Sequence, residues 1–67
     1  MRQFAVTLKN GEWTVFRDAK PVAHGMSRSQ AIKLAEEMAY EAEASGEDVQ
    51  LLVQDYTGEL KARYSGG

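Results

Sequence analysis

Asn10-Gly11 lies between two stretches, residues 2 to 9 and 12 to 17, in which apolar and polar side chains alternate. Both central residues of a type I′ turn need positive φ, which Asn and Gly tolerate best, so the dipeptide predicts a two-residue β-hairpin. That loop fixes the register: Lys9 faces Glu12, Leu8 faces Trp13, Thr7 faces Thr14, Val6 faces Val15 and Ala5 faces Phe16. One side then carries Leu8/Trp13 and Val6/Val15, and the other carries a Lys/Glu pair and a Thr/Thr pair, which are favourable neighbours on a wet surface. The pattern makes Trp13 the principal core residue rather than a ligand platform.

Asp18-Ala19-Lys20-Pro21 reads as a turn. Val22-Ala23-His24 follows as a short edge strand with Pro21 at its start, where a missing N–H is tolerated, and Gly25 breaks it. Ser27-Arg28-Ser29-Gln30 has the spacing of a capping box and opens a helix. Its apolar stripe is Ala31, Leu34, Ala35, Met38 and Ala42, flanked by Ile32 and Ala39. Lys33, Glu36, Glu37, Glu41 and Glu43 are left for solvent, and Gly46 is the C-terminal stop. Met26 packs at the start of this helix.

A second hairpin follows. Val49, Leu51 and Val53 alternate with Gln50, Leu52 and Gln54, and after the Tyr56-Thr57-Gly58-Glu59 turn Leu60, Ala62 and Tyr64 alternate with Lys61 and Arg63. With Asp55 facing Leu60, Val53 meets Ala62 and Leu51 meets Tyr64 on the core side. Gln54 then meets Lys61, and Leu52 meets Arg63, on the outer side. Neither hairpin is stable alone, so the expected fold is α+β in two layers: a mostly antiparallel sheet of four to five strands, in chain order β-β-(β)-α-β-β, covered on one face by one helix.

The order of landmarks resembles a family of short, mostly bacterial proteins grouped as domain-of-unknown-function family 2188. The resemblance rests on Trp13 and Val15, on Ser27 with Ala31-Ile32 and Ala35, and on Gly58, Leu60, Tyr64 and Gly66; Thr57 stands where Asp is expected before the turn glycine. It implies the strand-strand-helix-strand-strand order and brings no catalytic or binding residue with it.

At 67 residues the chain has room for one core, expected as one domain over residues 1–67, and it has no cysteine for a disulfide or a thiolate metal cage. No signal peptide or membrane span is visible, so a cytoplasmic protein is expected. The net charge of −2 hides an asymmetry: up to Ala35 six cations stand against two acids, and beyond it eight acids stand against two cations.

No cofactor or metal is expected, because His24 is the only histidine and no carboxylate cluster surrounds it at ligand spacing. Asp55 and Glu59 flank a turn and read as turn residues, and the isolated glycines make no phosphate loop. The expected role is therefore non-catalytic: a small binding or accessory module with a protein partner, including a second copy of itself. Contact would be through the outer sheet face (Phe16, Leu52, Lys61 and Arg63) or an edge strand. Two other readings stand beside it. One is an acidic inhibitor whose helix surface (Glu36, Glu37, Glu41 and Glu43) imitates nucleic-acid charge and docks on a basic enzyme. The other is a single-stranded nucleic-acid binder that uses the sheet face.

Overall fold

The computed structural model describes residues 1–66. Its elements are β1 (Arg2–Lys9), β2 (Glu12–Arg17), β3 (Lys20–Met26), α1 (Arg28–Ala44), β4 (Val49–Gln54) and β5 (Leu60–Gly66). The strands form one mixed sheet in the order β3-β2-β1-β4-β5, and α1 packs on one face of it. Three strand pairs are antiparallel, and β1 with β4 is parallel. Since β1 and β3 run the same way, α1 is the crossover between the parallel strands β3 and β4, and it must return over β2 and β1. That route places the helix over the middle of the sheet and leaves the opposite face uncovered.

The first hairpin has the expected register from Lys9↔Glu12 to Ala5↔Phe16, with Asn10 and Gly11 at φ 51 and 80. The second turn is equally tight. Asp18 and Ala19 both have positive φ, 49 and 70, and Arg17 pairs directly with Lys20. Asp18 is held in that conformation by its own carboxylate, which accepts from the Gln3 N–H at 2.9 Å and from Arg2 at 2.5 Å. Ala19 has no such compensation. The third strand is longer than the expected Val22-Ala23-His24. It runs through Pro21 and Gly25, because an edge strand needs hydrogen bonds on one side only, and two register shifts against β2 absorb the irregular residues.

Both helix ends follow from local chemistry. The Ser27 hydroxyl accepts from the Gln30 N–H and the Gln30 side chain accepts from the Ser27 N–H, a reciprocal cap worth about 1 kcal/mol. At the other end Ser45 is the C-cap and Gly46 takes φ 91. The Gly46 N–H then donates to the Glu43 carbonyl and the Glu47 N–H to the Ala42 carbonyl, the two bonds of a Schellman motif. The helix rests on Ala31, Ile32, Ala35 and Ala39, with Leu34, Met38 and Ala42 to one side. The stripe is rotated from the expected Ala31, Leu34, Ala35, Met38 and Ala42 toward the flanking Ile32 and Ala39, and its small side chains let the helix axis approach the sheet.

Phe4, Val6, Val15, Val49 and Leu51 are the largest fully buried side chains, each expected to contribute about 1.5–3 kcal/mol through burial. Trp13 is not among them. It is half-buried at the sheet end, where the Arg28 guanidinium lies 5.6 Å from its ring centroid, and Phe4 and Leu51 take the central position instead.

The second hairpin departs from the expected register. Leu51 does face Tyr64, but Leu52 faces Ala62, Val53 faces Lys61 and Gln54 faces Leu60, with a shift between Leu51 and Leu52. One extra residue, Arg63, is accommodated in β5. The cause is visible on the helix side, where the Tyr64 hydroxyl donates to Glu43 at 2.5 Å and Arg63 donates to Glu36 at 2.9 Å. A bulge lets both neighbours reach α1, which strict alternation would forbid.

Candidate functional site

The registers place one apolar row across the whole uncovered face. Pro21 (β3) pairs with Phe16 (β2), Phe16 with Ala5 (β1), Ala5 with Leu52 (β4), and Leu52 with Ala62 (β5). Residues directly opposite in neighbouring strands share a face, so the five side chains form a continuous band. Leu60, 49% exposed, extends it beside Gln54. Phe16 and Leu52 are each half-buried by their neighbours.

Uncharged polar residues border the band. Thr7 and Thr14 face each other on one side; on the other the Gln3 amide donates to Gln50 at 3.3 Å, and Gln50 faces Ser65. Gln54 is occupied at both ends of its amide, accepting from the Leu8 N–H at 2.7 Å and donating to the Gly58 carbonyl at 3.3 Å. Among the described strand residues, the only charged ones on this face are Lys9 and Glu12, which face each other beside the Asn10-Gly11 turn. The chain has 18 charged residues, and a face that carries only two of them costs little to desolvate.

The structure corrects the membership of the expected sheet-face site. Phe16 and Leu52 belong to it, but Lys61 and Arg63 do not. Lys61 faces the core residue Val53 and lies 3.0 Å from Asp55, and Arg63 is bonded to Glu36 of the helix. The one-residue bulge in β5 is the reason. Ala5, Pro21, Ala62 and Leu60 take their place. Ala5 is recoverable from its pairing with Phe16, whereas the others depend on β-bulges and on the β1–β4 pairing.

The acidic helix surface is likewise divided. Glu36 and Glu43 are half-buried and hold β5 through Arg63 and Tyr64, so only Glu37 and Glu41 of the four stand in open solvent. Donation to Glu43, together with partial burial, pushes the Tyr64 hydroxyl up to about 12. Elsewhere, hydrogen bonds from the Thr57 side chain and Lys61, with the Glu59 and Thr57 N–H groups, hold Asp55 well below the usual carboxylate range. The Gln3 N–H, followed by Arg2, also lowers Asp18. Asp18 and Glu47 in turn raise Arg2. These shifted groups fasten turns and termini to the sheet.

Two clefts flank the helix. The first, of about 260 Å³, has Arg2, Arg17, Glu41 and Glu47 at its rim, and Arg2 is already paired with Asp18 and Glu47. The second, of about 410 Å³, is a shallow trough between Met26 and Leu34. At the far sheet end Arg28 lies between the rings of Trp13 and Tyr56, at 5.6 and 5.5 Å, and approaches the Gln54 carbonyl at 3.4 Å. His24 lies 3.8 Å from Glu12 on the exposed edge. Among the described residues no group of three or more His, Cys, Asp or Glu is placed to hold a metal ion, and no helix is long and apolar enough to cross a membrane.

Comparison with family models, with curated proteins and with solved structures found no match to this chain.

Proposed function

We propose that this protein is a small non-catalytic binding module that engages a protein partner through the uncovered face of its sheet. The observation that carries this is the Pro21–Phe16–Ala5–Leu52–Ala62 band on a face from which all but two charged strand residues are excluded. Apolar side chains scattered singly on a surface need no explanation, but a continuous band across five strands, with a polar and uncharged border, has the anatomy of an interface core and rim. The basic residues that would serve a nucleic-acid strand, Lys61 and Arg63, are engaged on the other side of the sheet. Two of the four glutamates that would serve an acidic inhibitor are engaged within the chain.

The test is capture from the source cell on three immobilised forms: wild type, Phe16→Glu/Leu52→Lys, and Glu37→Lys/Glu41→Lys. Proteins retained by wild type and by the helix variant, but not by the sheet variant, are the expected result. Equal retention by the wild type and the sheet variant, or loss only in the helix variant, overturns it.

A further inference from the structure

We infer that the occupant of the uncovered sheet face is a second copy of the same chain, packed face to face about a two-fold axis that runs along β1. The inference rests on the binding-module proposal and specifies its partner. Three observations carry it.

The first is the profile of the band. From either edge of the sheet it alternates in the same way: Pro21 and Ala62 at the two ends, the bulky Phe16 and Leu52 next, and Ala5 at the centre on the middle strand. A rotation of 180° about an axis along β1 exchanges β2 with β4 and β3 with β5. Phe16 of one copy is then placed against Leu52 of the other, and Leu52 against Phe16, with Ala5 against Ala5. This is the self-complementarity that an isologous interface requires.

The second is area. Five strands about 4.8 Å apart and six residues long at about 3.3 Å per residue make a face of roughly 500 Å². Two such faces bury roughly 1,000 Å² in total, the lower bound for a specific interface. One face is roughly a tenth of the 4308 Å² accessible surface, the share a small protein commonly gives to a partner.

The third is edge protection. The competing route to a dimer, edge-to-edge strand pairing, is obstructed on both sides. β3 has Pro21 and two register shifts, and β5 has a bulge at Arg63. Sheet-on-sheet packing at about 10 Å separation is the arrangement left open.

The experiment is sedimentation equilibrium on the full chain from about 10 µM to 1 mM, a range set by the weak affinity expected of so small an interface. The samples are wild type, Phe16→Glu, Leu52→Lys, and an equimolar mixture of the two variants. Circular dichroism and Trp13 fluorescence establish that each variant is folded. A concentration-dependent dimer for wild type is expected, weakened at least tenfold in each variant alone. Mixing the variants should restore it, because the carboxylate introduced in one copy then meets the ammonium introduced in the other. Two monomeric variants whose mixture stays monomeric overturn the proposed two-fold geometry. A wild type that is monomeric throughout overturns the second copy as partner, while retention of another protein through the same face keeps the binding-module proposal standing. A dimer unchanged by both substitutions overturns this inference and places self-association on a different surface.

Discussion

Ala19 is the residue where this fold holds a side chain against its conformational preference, and replacing it by glycine should stabilise the protein. Its φ is 70 in a two-residue turn whose other member, Asp18, has φ 49. A left-handed conformation costs an L-residue about 1–2 kcal/mol, because Cβ crowds the following carbonyl oxygen. Glycine removes that cost but restores about 0.5–1 kcal/mol of backbone freedom to the unfolded chain. The difference leaves Ala19→Gly more stable by about 0.5–1 kcal/mol. For a domain of this size that corresponds to a melting temperature higher by about 2–8 °C. The neighbouring substitution supplies the control. Asp18→Gly relieves a similar φ, but it removes the carboxylate that accepts from Gln3 and Arg2, so its midpoint should fall. Thermal and urea unfolding, followed by far-ultraviolet circular dichroism and Trp13 fluorescence, read both. Opposite signs at adjacent positions are required; a fall in midpoint for Ala19→Gly, or equal gains at both sites, refutes the reasoning.

Three further outcomes are expected. Leu51→Ala removes a fully buried side chain between Phe4 and Tyr64 at a cost of about 2–5 kcal/mol, comparable to the whole stability of a core this small, so the variant should be largely unfolded at 25 °C by near-ultraviolet circular dichroism. Asp55→Ala should lower the urea midpoint more than Asp55→Asn, because Asn keeps an acceptor for the Thr57 and Glu59 N–H groups and loses only the Lys61 pair; equal effects would show that the ion pair dominates. The pH dependence has a defined sign at each end. Asp18 and Asp55 are lowered, so their contribution is complete above the ordinary carboxylate range and lost as pH falls below it. Tyr64 is raised from 10.0 to about 12, so its contribution is complete below 10 and lost as pH rises through about 12. Absorbance near 295 nm should show a late tyrosine ionisation in wild type that is missing from Tyr64→Phe.

The parts of the fold that can be read from the sequence are those fixed by residues close together in the chain. Asn10-Gly11 sets six cross-strand pairs without reference to anything else, and the Ser27/Gln30 box and Gly46 bound the helix at both ends. The unread parts are set by distant residues. The parallel pairing of β1 with β4 depends on the route of the helix over the sheet. Trp13 looks central in the sequence because its pairing with Leu8 is on the helix side; in the folded chain both lie near a sheet end, and Trp13 stacks on Arg28 instead of being enclosed.

The candidate site shows why such a reading can name half of a surface and misplace the rest. Strand side chains alternate with a period of two, so a single inserted residue reverses every assignment beyond it. The insertions lie in β3 and β5, so Phe16 on β2 and Leu52 on β4 keep an unbroken alternation, and pattern alone places both on the outer face. Arg63 is itself the insertion, and Lys61 follows the altered register, so both leave that face together. The two errors share one cause, and it lies outside the hairpin: Glu36 and Glu43 on the helix offer partners to Arg63 and Tyr64, and a bulge is the way consecutive residues reach the same side. The correction also changes the chemistry of the face. With Lys61 and Arg63 moved to the helix side, the expected basic surface becomes an apolar band bordered mainly by uncharged residues, and this band is the ground on which a protein partner is proposed.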